Sequence, residues 1–393
     1  MKIEKRIILW GGWYGSRNVG DRALLLAITD MLQESLNKVR FIALSATPSE
    51  VYRYTKEDSN LGIEAIRTKD LLKVIIQIAK ADLFIFGGAV PFFDKFNQLT
   101  AMLGLTFFAR LFKTPYFLWS VSSQPISSRL AKTIFQFVLS GASGITYRDE
   151  HTRVLFKECG VTDENMTKVA DSVFALRSGN KKEALVLLEN AGWLTENTRP
   201  FVALTPRSLR HKDGEAETHY NPQSGIYYQH EIETFSMVLD WLWENSYQPI
   251  FVPMNTMMPD DDRSASRLIM EQAKYGENAL IIDQEIPPRL AVPIYEHCEM
   301  SFVSRVHGSI TSFISGCPPV MYAFDKKHGG IMETMGLGEF IFDPKQNTPR
   351  EAVALIEKMA GMNGNWRENL NKTYLDLYQD SYTPQKMILD LLR

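Results

Sequence analysis

Short apolar runs alternate with longer amphipathic ones along this chain, and that alternation limits the fold more than any other feature of the sequence. Residues 6–10 (RIILW) read as a buried strand and 23–36 as a helix, followed by a strand at 41–44. Helical spacing over 69–79 leads to a strand at 83–86 (LFIF) that runs into Gly87-Gly88. A helix at 99–111, a strand at 116–121, a helix at 130–139 and a short strand at 144–147 ending at Arg148 complete a first series. The pattern weakens between about 175 and 199, where polar and helix-breaking residues gather. It resumes with strands at 201–204, 249–252, 279–282, 300–303 and 320–323. The helices between them are expected at 231–245, 262–274, 287–296 and 309–315, with further helices from 348 to the end. Strand–helix alternation builds βαβ units and parallel sheets. The 393 residues suit two such domains. The expectation is an α/β chain of two tandem doubly wound, Rossmann-like domains facing a cleft. The first covers 1–180. The second covers 200–393, with last helices able to pack back on the first. Open α/β sheets bind ligands outside the carboxyl ends of their strands.

Charge and composition narrow the partners. A net charge of −3 from balanced acids and bases argues against nucleic acid. Three cysteines, Cys159, Cys298 and Cys317, lack metal-ligand spacing and fit a reducing compartment. The apolar run after Met1 stops at Gly11-Gly12 and is not a signal peptide. The most apolar stretch, 99–121, is broken by Arg110, Lys113 and Pro115 and is too interrupted to span a bilayer. The chain is therefore expected in the cytoplasm, with peripheral contact at the inner face of the membrane as the furthest it goes. The 99–112 stretch is either an ordinary packed helix, the favoured reading, or a membrane-surface one. Residues 211–221 (HKDGEAETHYN) are expected to form a long surface loop.

Five clusters at strand ends carry candidate chemistry. The segment Gly11-Gly12-Trp13-Tyr14-Gly15-Ser16-Arg17-Asn18-Val19-Gly20-Asp21 joins a strand to a helix, with glycines that let a ligand approach the backbone. Asn18 or Asp21 could equally cap that helix. Gly87-Gly88-Ala89 is a second such turn. Arg148 ends a strand and has the donor geometry to grip a carboxylate or phosphate, or to pair with a neighbouring acid. In Ser304-Arg305-Val306-His307-Gly308, a cation and an imidazole alternate on an expected extended backbone just before a helix start near Gly308. A fifth cluster, Asp325-Lys326-Lys327-His328, follows the next strand. Cations and one histidine at strand ends suit a small, multiply charged anion, without identifying it.

The order and spacing of these clusters resemble the polysaccharide pyruvyl transferase family. Its motif G-[YW]-Y-G-x-x-N-x-G-D is matched from Gly12 to Asp21, and its Gly-rich turn by Gly87-Gly88. Its V-R-D-E segment resembles Tyr147-Arg148-Asp149-Glu150, and its D-x-V-F is matched by Asp171-Ser172-Val173-Phe174. R-L-H corresponds to Arg305-Val306-His307, and D-P-K to Asp325-Lys326-Lys327. A glycine-rich turn of the family reads Ser120-Val121-Ser122-Ser123-Gln124-Pro125 here, Asn255 stands where a histidine is frequent, and Ala89 replaces a third glycine. The resemblance implies a fold like the GT-B glycosyltransferases. It also implies phosphoenolpyruvate as donor and co-substrate, with no other cofactor and no metal. The implied acceptor is a sugar on a growing glycan or lipid-linked oligosaccharide. It makes 1–180 the acceptor side and 200–393 the donor side, and by position it assigns the donor to Arg148, Arg305, His307, Gly308 and Lys327. The acceptor falls to Tyr14, Asn18, Asp21 and Gly88, and proton transfer to His307, with Asp21 the weaker candidate. Two other readings stand beside it: a nucleotide-sugar-dependent glycosyltransferase, disfavoured by the lack of a Glu-x7-Glu pattern near Arg305, and a catalytically silent glycan-binding homologue.

Overall fold

The structure, a computed structural model, describes residues 4–393 except 59–61, 89–91, 93–95, 124–125, 127, 194–198, 208–210, 213–214, 217–223, 259, 325 and 363–364. The chain divides into two compact units. The first comprises residues 1–16, 21–177 and 376–393, and the second comprises 17–20 and 178–375. Each is a parallel α/β sheet, so the expected doubly wound class is the observed one.

Seven strands form the sheet of the first unit: β1 (Lys5–Trp10), β2 (Val39–Ser45), β3 (Glu64–Arg67), β4 (Leu83–Gly87), β5 (Tyr116–Val121), β6 (Gly144–Tyr147) and β7 (Thr167–Lys168). Their order is β3-β2-β1-β4-β5-β6-β7, all parallel. The central strands β4 and β5 are buried along their whole length, as apolar runs in a sheet covered on both faces must be. Strand order reverses between β1 and β4, so the loops after these two strands diverge at the carboxyl edge. Residues 376–393 add the helix Thr383–Leu391, where Gln385 donates to Ser35 Oγ at 3.0 Å and Ile388 is fully buried.

Among the described residues, eight more strands lie in the second unit. A short antiparallel ribbon, β9 (His211–Lys212) with β10 (Glu215–Ala216), falls inside the segment expected to be a loop. The main sheet uses β8 (Phe201–Thr205), β11 (Gln248–Phe251), β12 (Leu280–Ile281), β13 (Cys298–Val303), β14 (Pro319–Tyr322) and β15 (Ile341–Phe342). Its order is β12-β11-β8-β13-β14-β15, again parallel. The segment expected to join the domains contains a helix, Lys181–Asn190, capped by Asn180 through the Lys182 N–H at 2.9 Å. Val19 sits in the second unit's core with Ile250, Val252 and Met254.

Candidate functional site

The Arg-Val-His turn is built at the carboxyl end of β13. That strand is held between β8 and β14, and the Ser304 N–H extends the ladder by donating to Thr205 O at 2.9 Å. Arg305 is extended, with φ −112° and ψ 127°, and the helix Val306–Ile314 starts directly after it. The sequence places the helix start near Gly308 and puts Arg305 and His307 on one extended segment. The structure instead sets Arg305 at the N-cap and His307 in the first helical turn. A Cβ on Gly308 would lie 3.3 Å from Thr205 Cγ2, so the glycine lets the helix crowd against β8. The N–H groups of a helix's first turn and the helix dipole favour an anion here.

Arg305 does not reach this turn as a loose cation. Its Nε and Nη2 donate to the two oxygens of Asp262 at 3.1 and 2.5 Å, and Nη2 also reaches Asp260 O at 3.3 Å. Both side chains are buried. Burial works against the guanidinium charge, but the Asp262 carboxylate outweighs it and holds the Arg305 pKa above its ordinary value. Asp262 also accepts from the N–H groups of Met254 and Asn255 at 3.1 and 2.9 Å. The pair fixes the guanidinium plane, and among the described residues no group accepts from Nη1. Next to it, Ser304 Oγ donates to Glu231 at 2.6 Å, and the Arg207 N–H donates to the same carboxylate oxygen at 2.9 Å. Glu231 is buried, and burial pushes its carboxyl up to about 7 despite those hydrogen bonds.

His307 is half-buried and rests against the N-terminal motif. Residues 17–20 form an edge of the second unit: Val19 N–H donates to Met254 O at 2.8 Å, Thr256 N–H to Arg17 O at 3.3 Å, and Asn18 bridges Asn255. A Cβ on Gly20 would come within 2.0 Å of His307 Nδ1, so the imidazole packs directly on the glycine backbone. Asn18 Oδ1 accepts from the Gly20 N–H at 2.9 Å, and Asn255 Nδ2 donates to Asp260 O at 2.8 Å. The N-x-G part of the N-terminal motif and the R-x-H motif are thus one structure. Lys327 lies in the helix Lys326–Thr334, and its side chain is outside the described residues. The adjacent His328 is buried and packs at a tilt against Phe324 with ring centroids 4.4 Å apart.

In the first unit, Arg148 follows β6 and pairs with the buried carboxylate of Asp171. Asp171 also caps the 3-10 turn Ser172–Ala175 through the Val173 N–H at 2.9 Å. The partner thus comes from a different motif, not from Asp149 or Glu150. Asp149 caps the helix Glu150–Glu158, accepting from Thr152 N and Oγ1 at 2.8 and 2.7 Å. Tyr14 is fully buried, and its hydroxyl donates to Gly87 O at 2.8 Å. Gly88 turns with φ +72°, and a Cβ there would press on Leu24 and Ile28. Asp21 is half-buried at the first turn of Val19–Ser35 and accepts from Trp13 N–H at 3.4 Å. Ser120, where the family turn carries glycine, adopts φ 47° and returns its Oγ to Ala170 O at 3.0 Å.

The residues missed from sequence are Asp262, Glu231 and the Gly20 backbone. Asp260-Asp261-Asp262 before a helix offered a signal for an N-terminal acid, though not for its partner. Glu231 offered none, because Ser304 is 73 positions away.

The family model for polysaccharide pyruvyl transferase matches residues 18–326. The amylovoran biosynthesis protein AmsJ of Erwinia amylovora is 21% identical, over 98% of this chain and 99% of that protein. Among solved structures, the UDP-GlcNAc 2-epimerase of Neisseria meningitidis bound to UDP-GlcNAc superposes with a TM-score of 0.61 at 9% identity, covering 98% of this chain and 99% of that one. Anabaena Alr3699/HepE in complex with UDP superposes with a TM-score of 0.62 at 12% identity, covering 99% of each chain. These two likenesses establish a GT-B-type fold and nothing about ligands. With a family model spanning most of the chain, from Asn18 through the R-x-H turn, this chain belongs to the polysaccharide pyruvyl transferase family.

Proposed function

We propose that the chain transfers a pyruvyl group from phosphoenolpyruvate to a sugar of a cell-surface or exopolysaccharide precursor, in the cytoplasm, forming a pyruvate ketal and releasing phosphate. The observation that carries this reading is the oriented Arg305–Asp262 pair next to His307 in the first turn of Val306–Ile314. A guanidinium with its plane fixed, beside a helix start, suits an anion with two charged groups.

In the reaction, the methylene carbon of phosphoenolpyruvate gains a proton and one sugar hydroxyl bonds to the central carbon, losing its own. A second hydroxyl of the same sugar then displaces phosphate and closes the ring, and its proton leaves with the phosphate. Arg305 and the helix N–H groups stabilise charge on the departing phosphate, an effect worth about 3–4 kcal/mol for one well-placed donor. His307 moves a proton, since an imidazole can do so near neutrality. Arg148 and Lys327 join the donor site on motif position. Asn18 and Asp21 are assigned to the acceptor. Tyr14 and Gly88 shape that side through the backbone, because the Tyr14 hydroxyl is already bonded to Gly87.

The test is release of phosphate from phosphoenolpyruvate in the presence of a diol-bearing glycan precursor. His307→Ala should fold normally and lose about 100-fold or more in turnover. Arg305→Lys is the better partner variant than Arg305→Ala, because removing the cation would strand Asp262 in the interior. Thermal stabilisation by UDP-sugars and none by phosphoenolpyruvate would overturn the reading in favour of a glycosyltransferase.

A further inference from the structure

Three consecutive helices of the first unit carry an outward face that is exposed among the described residues. They are Leu71–Lys80, Phe96–Leu111 and Arg129–Leu139, and the middle one packs beside both others. The topology puts all three on one side of the sheet. The chain runs outward from β1 through β2 to β3, then returns across to β4 and continues through β5 to β6. With right-handed crossovers, the helices after this reversal lie on the face opposite the earlier ones.

The middle helix divides its residues cleanly. Leu99, Met102, Thr106 and Ala109 point into the core, while Phe96, Thr100, Leu103, Phe107 and Leu111 recur at helical spacing on the solvent side. Phe96 is 73% exposed and Phe107 52%. Leu72 at 73% and Leu130 at 58% extend the apolar surface onto the helices on either side. An outward helical face is ordinarily polar, so an apolar one points to a partner.

Charge identifies the partner's chemistry. The three helices contain Lys73, Lys80, Arg110, Arg129 and Lys132, and no aspartate or glutamate. Asp70 lies near Lys73 and Glu158 pairs with Lys132, while among the described residues no carboxylate pairs with Lys80, Arg110 or Arg129. The whole chain is net negative at −3, so this basic set is local. A second copy of the chain meeting this face by two-fold symmetry would set cations against cations. An anionic lipid surface takes up both features, burying the leucine and phenylalanine side chains among acyl chains and meeting the lysines and arginines with headgroups.

We propose that this three-helix face of the first unit docks on an anionic membrane surface. Among the described residues no helix is long and apolar enough to cross a membrane, so the contact is peripheral. Docking there would hold the enzyme in the plane where a lipid-linked sugar is presented, but the binding itself does not depend on the pyruvyl-transfer reading.

The experiment is flotation of the full chain with vesicles of phosphatidylcholine alone and of phosphatidylcholine mixed with phosphatidylglycerol. The expected result is co-flotation with the anionic vesicles, weakening as salt is raised. Phe107→Glu and, on a different helix, Leu72→Glu should each reduce partitioning about tenfold or more, since a carboxylate at that depth is costly. Both should retain wild-type circular dichroism and phosphate release with a water-soluble acceptor. Absence of flotation with either vesicle overturns the proposal. So does a wild-type dimer in sedimentation that both variants dissociate while vesicles remain unbound, which would assign the face to a second copy.

Discussion

A single methyl group at position 20 has nowhere to go. It would sit 2.0 Å from Nδ1 and 2.6 Å from Cβ of His307, so the imidazole must swing away or the 17–20 segment must lift from Met254 and Asn255. The expected outcome for Gly20→Ala is a loss of about 100-fold in turnover with a modest fall in stability, about 1–3 kcal/mol for an overpacked contact. Parallel measurement of kcat and of urea unfolding checks it; near-normal kcat would mean that His307 has room the structure does not show. Glu231 makes a different prediction at the same scale. Its carboxyl is raised from an ordinary 4.5 to about 7 by burial, and its second oxygen has no hydrogen-bond partner among the described residues. A raised carboxyl favours the folded state only while protonated. That contribution is complete below about pH 4.5 and is lost as pH rises through 7, up to about 3 kcal/mol in all. Glu231→Gln removes the titration. The stability difference between variant and wild type should therefore move in the variant's favour from pH 5 to pH 8, by urea unfolding at each pH. A pH-independent difference would sink the assignment.

Among the elements, two buried aspartate–arginine pairs hold the strand ends. Asp262 opens the helix Asp262–Gln272 and takes Arg305 from the end of β13; Asp171 opens a 3-10 turn and takes Arg148 from the end of β6. Removing one partner of such a pair leaves the other charge stranded, at a cost of about 3–5 kcal/mol. Asp171→Asn should accordingly lower stability by several kcal/mol, and Asp171→Asn with Arg148→Gln by clearly less than the two single changes summed. An additive double-mutant cycle would remove the coupling. These pairs also mark where sequence reading stops. The long central strands and the helices between them were legible because each spans enough residues to show its period. The edge strands β7 and β15 have two residues each, too few for any period, whereas the equally short β12 was legible inside the apolar run 279–282. The helix at Val306 starts two residues before its expected place because its N-cap is Arg305, which makes no side-chain cap, so the usual signal is missing. Arg148 and Arg305 were visible as strand-end cations, whereas their partners come from 23 and 43 positions away. No local pattern records such pairings.

At the level of the whole molecule, the chain does not complete one unit before starting the other. Residues 17–20, which include the first two residues of the helix Val19–Ser35, belong to the second unit although the rest of that helix belongs to the first, and residues 376–393 return to the first. The returning segment fills a defined place. Ile388 is fully buried, Gln385 donates to Ser35, and Asp380 accepts from the Ala170 N–H at 2.6 Å, just before the Asp171 that holds Arg148. Without it, the first unit would expose an apolar surface and an amide that the folded chain keeps paired, each worth about 1–3 kcal/mol. A fragment of residues 1–177 should therefore unfold at lower urea than the first unit of the intact chain, and co-expression with a peptide of residues 376–393 should recover the difference. Hydrogen exchange at Ala170 reports on the same contact: the amide should exchange quickly in the fragment and slowly once the peptide is bound. If the fragment alone unfolds at the same urea concentration with or without the peptide, and Ala170 is equally protected in both, the returning segment is an appendage and the division of the chain into interleaved units has no energetic content.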